Sequence, residues 1–183
     1  MPVPFNRFDI GALALVLGGL GLWVASPDSE WTGIAVVGAG LASLARLARW
    51  RGRHSRSEPL LWILHIGYAW VVVGLIMLGA AVLLPALIPY PAGIHALGAG
   101  AIGTMILAVM TRATRGHTGH SLEAGPGTVA IYTLITLAAT LRVAAPFAPD
   151  LYVELIVISG IAWIAAFSLF VTAYGPMLLT VNR

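Results

Sequence analysis

Four ionisable side chains lie inside or beside long apolar stretches of this chain, namely His65, His95, Arg142 and Glu154. An ionisable group inside a bilayer is costly, so each of the four is a candidate functional residue. Imidazole is a ligand for both iron and copper, and guanidinium pairs with carboxylates. These residue types can therefore bind a metal or a metal-containing cofactor. The residues alone leave open the alternative that they only form polar contacts within a helix bundle.

The spacing of the histidines predicts two layers of polar residues, one near each face of the membrane. His65 belongs to the layer on the cytoplasmic side. It lies about five residues into an apolar stretch, which is about 8 Å along a helix. The loop expected on the same side carries His117 and His120 as His-x-x-His, so we expect His65 to meet His117. By itself His-x-x-His is a weak metal signal, because zinc sites normally use three or four protein ligands. His54 lies in an arginine-rich segment on the same side.

His95 belongs to the outer layer, where we expect it to meet Arg142 and Glu154. Ala99 and Gly103 follow one and two helical turns after His95, and small residues there leave room for a planar macrocycle. Arg142 and Glu154 flank a short turn, so the expectation is that they neutralise each other, since an unpaired buried charge is costly. The alternative is that Arg142 binds an anionic group such as a haem propionate.

The elements that position these residues follow from the composition. The 183 residues are 59% hydrophobic and only 9% charged, with a mean hydropathy of +0.92. A soluble domain has about 25% charged residues, so the composition excludes a soluble enzyme, and it also excludes a disordered protein. The absence of cysteine removes disulfides, thiolate nucleophiles and Cys-ligated metals. No nucleophile triad and no carboxylate pair can be assembled, so hydrolysis has no support and enzymatic activity stays open.

Six apolar stretches approach the length that a membrane-spanning helix needs, which is about 20 residues. They cover residues 10–25, 33–48, 60–84, 93–110, 128–145 and 151–174. The stretches are continuous rather than alternating, which argues against a β-barrel. The first stretch resembles a signal peptide, but Asp9 in its basic region favours a true helix. The predicted fold is an all-α integral membrane protein, a polytopic bundle of six helices in a single transmembrane domain over 1–183.

The arginines indicate how this bundle is oriented in the bilayer. All ten basic residues are arginine, and short cytoplasmic loops are enriched in basic residues. With the N-terminus inside, the cytoplasmic segments hold nine of them: Arg7, Arg46, Arg49, Arg51, Arg53, Arg56, Arg112, Arg115 and Arg183. Only Arg142 falls on the outer half. We therefore expect both termini in the cytoplasm and the lipid bilayer as partner, with no nucleic-acid partner.

The glycines of the fourth stretch imitate a nucleotide-binding motif. Residues 98–103 read G-x-G-x-x-G, but that motif needs a preceding strand, and here it lies within a predicted spanning helix. Helix packing is the better interpretation, because small residues recur every four positions at Ala96, Gly100, Thr104 and Ala108. We expect the same packing role for the glycines at Gly18, Gly19, Gly21, Gly38 and Gly40.

The segment from His95 to His120 resembles the signature of the NnrS family of bacterial membrane proteins. The similarity extends over nearly the whole chain, with further matching segments at residues 58–61, 64–70, 144–146 and 174–178. The resemblance implies a bacterial inner-membrane protein that contains haem and copper. It also implies a role in nitric oxide metabolism and nitrosative stress, often beside denitrification.

On the matching positions the resemblance implies that His65, His95 and His117 contact the metal or haem, with Arg112 as a charge partner. Arg142 joins them as a candidate for cofactor binding. Family members are about twice as long, and their front half carries a Trp-His-Ala-His-Glu-Met segment that this chain lacks. The chain thus resembles their C-terminal half, and a second copy or a partner is expected to supply the rest. His120 stands where the family has arginine, which weakens it as a ligand.

Two other functions remain open at this point. One is a non-catalytic scaffold or assembly subunit of the membrane, in which the histidines serve packing alone. The other is a small-molecule or metal transporter with His65, His95, Arg142 and Glu154 along its path.

Overall fold

The computed structural model describes residues 4–50 and 58–179, and within these ranges the chain is helical and contains no strand. The α-helices are α1 (Arg7–Ala25), α2 (Glu30–Arg49), α3 (Pro59–Leu83), α4 (Tyr90–His95), α5 (Gly103–His117), α6 (Pro126–Ala144) and α7 (Tyr152–Leu179). A π-helix, Ala96–Ile102, joins α4 to α5, and two short 3₁₀ turns join α6 to α7. Six of the resulting helical segments are long and apolar enough to cross a membrane. The predicted fold class, a polytopic helical bundle, is confirmed.

Local sequence signals account for where several helices begin. In α1, the Asn6 side chain accepts a hydrogen bond from the Phe8 amide, while Asp9 accepts one from the Asn6 amide. This reciprocal capping box satisfies amide groups that have no partner inside the helix. Helices α3 and α6 begin at Pro59 and Pro126, because a proline in the first turn sacrifices no intrahelical hydrogen bond.

Glycines allow α2 and α3 to approach each other closely. A Cβ at Gly79 would lie 2.6 Å from the Gly33 carbonyl oxygen, and a Cβ at Gly40 would lie 2.6 Å from Ile76. Beside these contacts a buried cluster fills the interface, with Val36 and Leu75 among its members. Small residues let helix backbones approach within a membrane, where the hydrophobic effect does not drive helices together.

The small-residue stripe of the fourth span is buried as predicted. Its four members, Ala96, Gly100, Thr104 and Ala108, are all buried. A Cβ at Gly100 would come within 2.7 Å of the Trp70 ring, so the indole of α3 packs directly on the glycine. The stripe therefore packs this span against α3.

Five other glycines were also predicted to pack against neighbouring helices, and for three of them this prediction is wrong. Gly19 and Gly40 do contact neighbouring helices, but a Cβ at Gly18, Gly21 or Gly38 would meet no atom within 4 Å. Which side of a helix faces its neighbour depends on the three-dimensional arrangement, and composition alone does not reveal it.

Buried hydroxyl groups link α5, α6 and α7. The hydroxyls of Thr111 and Tyr132 share a hydrogen bond, and so do those of Thr128 and Tyr174. Thr111 is fully buried, and it also donates to the Leu107 carbonyl. These bonds satisfy polar groups that would otherwise be costly in an apolar interior.

Side-chain contacts place the arginines of α2 and Arg142 at opposite ends of the bundle. At one end, Arg46 of α2 bonds to Asp9 of α1 and Tyr68 of α3. Arg142, in the last turn of α6, lies in a pocket with the first residues of the fourth span, so it belongs to the opposite end. The structure thus separates Arg142 from the arginines of α2. The predicted cytoplasmic residues Arg51, Arg53, Arg56 and Arg183, and also His54, lie outside the described residues.

Candidate functional site: the His95–Arg142 pocket

His95 is the last residue of α4, immediately before the π-helix Ala96–Ile102. A π-helix has i→i+5 hydrogen bonds, is rare, and is found mostly at functional sites. Here it changes the register of the side chains that follow the histidine. Ala99 remains beside His95 in the same pocket, as predicted, but Gly98 is the second small residue there. Gly103, expected in that place, does not line the pocket, and a Cβ there would meet Ile135 and the Trp163 indole.

His95 and Arg142 line one pocket between the fourth span, α6 and α7. The pocket has a volume of about 590 Å³, which falls within the range of about 300–1,000 Å³ typical of small-molecule sites. Its lining residues are Ile94, His95, Gly98, Ala99, Arg142, Ser159, Gly160, Trp163 and Ile164. The structure thus brings His95 and Arg142 together, as the sequence predicts.

The pocket has open space beside its two glycines, and the indole of Trp163 forms part of its wall. A Cβ at Gly98 or at Gly160 would meet no atom within 4 Å, so both glycines border open space. The indole of Trp163 stacks on Phe167 with ring centroids 4.2 Å apart. Ser159 is already engaged, because its hydroxyl donates to the Ala138 carbonyl at 2.7 Å. The arrangement suits a flat, largely apolar group.

The two ionisable side chains of the pocket have no hydrogen-bond or ion-pair partner within the described part of the chain. Neither His95 nor Arg142 forms a hydrogen bond or an ion pair with another described residue. The expected pairing of Arg142 with Glu154 is wrong. Glu154 is exposed, and it precedes Trp163 by nine residues, which at about 100° per residue places it on the opposite side of α7. The Arg142 guanidinium is therefore not neutralised by a described carboxylate and is available to bind an anionic group.

His65 occupies a different position, near the start of α3. Its Nδ1 lies 3.1 Å from the Leu61 carbonyl oxygen, and its ring meets the edge of Trp50 with centroids 5.7 Å apart. A carbonyl oxygen only accepts, so Nδ1 carries the proton and Nε2 keeps a lone pair. Nε2 is buried and has no hydrogen-bond partner among residues 4–50 and 58–179. Metal-binding histidines typically hold this tautomer through such a bond.

The family model of the NnrS proteins matches residues 1–181 of this chain. The chain belongs to the NnrS family. Comparison with curated proteins and with solved structures gave no significant match. Family membership confirms the resemblance drawn from the segment between His95 and His120.

Among the described residues of this NnrS-family chain, His117 and His120 form no hydrogen bond or ring contact with His65 or His95. His117 is exposed at the end of α5 and lines a separate pocket with Leu64. His65 and His117 share neither a hydrogen bond nor a ring contact, and their meeting at a metal or haem stays a prediction. His120 is exposed, and its Nδ1 lies 2.8 Å from the Thr118 hydroxyl. Within residues 4–50 and 58–179, no three His, Cys, Asp or Glu side chains come together to hold a metal ion.

A charged cluster at the His65 end of the bundle was missed by the sequence interpretation. Asp9 is buried, and its carboxylate pairs with Arg46 at 3.1 Å and with Arg49 at 3.5 Å. Arg46 also donates to the Tyr68 hydroxyl at 3.0 Å and lies over the Trp50 ring. The cluster joins the ends of α1, α2 and α3. An acidic residue at the start of an apolar helix was the available signal, because it requires a partner.

Proposed function

We propose that this NnrS-family protein binds haem in the His95–Arg142 pocket and acts in the response to nitric oxide. The observation that carries the proposal is one pocket that joins an unpartnered imidazole to an unpartnered guanidinium. The choice of haem, and the connection with nitric oxide and denitrification, come from the family resemblance.

The residues of the pocket fit a haem group in charge, shape and volume. His95 offers a ring nitrogen to the iron, and Arg142 offers a cation to a propionate. The open space at Gly98 and Gly160 accommodates a flat macrocycle, and the Trp163 indole offers it an aromatic wall. Haem bound there would supply an iron that binds nitric oxide or exchanges electrons. The protein's own contribution is to hold the group, orient it and keep water away.

His65 is proposed as a second metal or haem contact, at the other end of the bundle. Its buried Nε2 has no hydrogen-bond partner in the described part of the chain, and the Leu61 carbonyl holds the ring in the tautomer that a ligand requires. Copper remains an expectation of the resemblance, since no group of three possible metal-binding side chains occurs among the described residues.

The proposed location is the bacterial inner membrane, with both termini in the cytoplasm. The six spanning helices support a multi-pass membrane protein, and the distribution of the arginines supports the orientation. A second copy or a second polypeptide, in place of the front half of longer family members, remains a proposal that co-purification tests.

The proposal is tested by the visible spectrum of the purified chain. The protein is purified in detergent from haem-replete cells, together with His95→Ala and the matched control His120→Ala. We expect a Soret band that shifts on addition of nitric oxide, is lost in His95→Ala and is kept in His120→Ala. A colourless wild-type protein would contradict haem binding. Substrate flux in liposomes by such a protein would favour the transporter instead.

A further inference from the structure

A second pocket lies at the other end of the fourth span, far along the helix from His95. It has a volume of about 430 Å³. Its lining residues are Leu64, Val109, Arg112, Ala113, Gly116, His117 and Leu122. The pocket therefore combines an apolar floor with two polar groups, Arg112 and His117, at the point where the spanning helix ends. We call it the interfacial pocket.

Arg112 differs from Arg46, Arg49 and Arg115 because its guanidinium has no hydrogen-bond or ion-pair partner among the described residues. Arg46 and Arg49 pair with Asp9, and Arg115 donates to the Ser121 carbonyl at 2.7 Å. Arg112 is partly buried and forms no hydrogen bond or ion pair with another described residue. A guanidinium carries five N–H donors and a full positive charge, so Arg112 is available to bind an anion.

An apolar path leads from the bilayer into the interfacial pocket. Ile102, Ile106 and Val109 succeed one another along one side of the fourth span, and all three point outwards, with exposed fractions of 61%, 41% and 55%. Leu122 also lines the pocket and is itself exposed. A hydrocarbon chain lying along this row would bring its polar end to Arg112.

We propose that the interfacial pocket binds an anionic phospholipid. The phosphate accepts hydrogen bonds from Arg112 and His117, and one acyl chain lies along Val109, Ile106 and Ile102. Three features select a lipid over a soluble anion: the apolar floor, the outward-facing row that continues it, and the position at the membrane surface. Basic pockets between spanning helices on the cytoplasmic side bind anionic head groups in this way. The proposal does not depend on haem binding.

The test is a lipid titration of the full chain in detergent, followed by native mass spectrometry. The probes are phosphatidylglycerol, phosphatidylcholine with matched acyl chains, and inorganic phosphate as competitor. We expect the wild type to prefer phosphatidylglycerol and inorganic phosphate to compete poorly. Loss of a charged hydrogen bond predicts that Arg112→Gln weakens phosphatidylglycerol binding about tenfold or more. Arg115→Gln, which removes an equal charge outside the pocket, should retain the affinity.

Three results would overturn the proposal. Equal affinity of the wild type for the two lipids would show that no anionic head group is recognised. Equal losses in Arg112→Gln and Arg115→Gln would assign the binding to general surface charge. Efficient competition by inorganic phosphate would make the site one for a free anion. The first and third results need only the wild-type protein, so they hold even where Arg112→Gln fails to fold.

Discussion

Gly79 of α3 packs against the backbone of α2, so a single added methyl group tests how closely these helices approach. A Cβ at this position would lie 2.6 Å from the Gly33 carbonyl oxygen and 2.8 Å from the Val37 backbone nitrogen. Ordinary van der Waals contact begins at 3.4 Å. Both atoms belong to the backbone, so no side-chain rotation relieves the clash and the two helices must separate.

The expected loss of stability follows from two opposing contributions. Overpacking a well-packed interface costs about 1–3 kcal/mol, and the upper end applies because the obstructing atoms are backbone. Replacing glycine by alanine within a helix gains about 1 kcal/mol. Gly79→Ala should therefore lower the free energy of unfolding by about 2 kcal/mol. Gly38→Ala is the matched control, because a Cβ there meets no atom within 4 Å, and it should raise that free energy by up to about 1 kcal/mol.

The assay is equilibrium unfolding of both variants in mixed micelles, followed by far-ultraviolet circular dichroism. The predicted difference between the variants, about 3 kcal/mol, corresponds to a change of roughly a hundredfold in the unfolding equilibrium. Equal stability of Gly79→Ala and Gly38→Ala would refute the close approach of α2 and α3.

Three further predictions concern the pocket, the charged cluster and the buried hydroxyls. Gly160→Leu adds a side chain to the open space of the pocket, so it should abolish the Soret band while the haem-free variant melts at the same temperature as the haem-free wild type. Full haem occupancy would contradict the assigned site. Asp9→Asn removes the carboxylate that both α2 arginines share, so thermal unfolding should occur at a lower temperature than in the exposed control Glu30→Gln. Equal melting temperatures would show that the cluster does not hold α1 in place. Tyr132→Phe deletes the hydrogen bond to Thr111, which should cost about 1 kcal/mol in denaturant unfolding, whereas an unchanged midpoint would speak against that bond.

The sequence predicts the number of spanning helices because span length and apolar composition are local properties. It also places His95 with Arg142, because a helix that begins at one end of the bundle and a helix that ends there bring those residues together. Both predictions depend only on counting residues along helices that alternate in direction. The thickness of the bilayer fixes how many residues each of these helices needs.

The contacts that the sequence does not predict depend on how each helix is rotated. Arg46 meets Asp9 across 37 positions of the chain, and no local pattern specifies that pair. Glu154 turns away from Arg142 because α7 presents its other side to the pocket. The π-helix after His95 shifts Gly103 out of the predicted register, and its glycines give no sequence signal that distinguishes it from an α-helix.

The central claim, that His95 provides an imidazole ligand to haem, is tested most directly by chemical rescue. His95→Gly is purified in detergent, and its visible spectrum is recorded with and without added imidazole. The proposal predicts a folded, nearly colourless variant that regains the Soret band when haem and imidazole are supplied together. A Soret band in His95→Gly that equals that of the wild type without imidazole would contradict the claim.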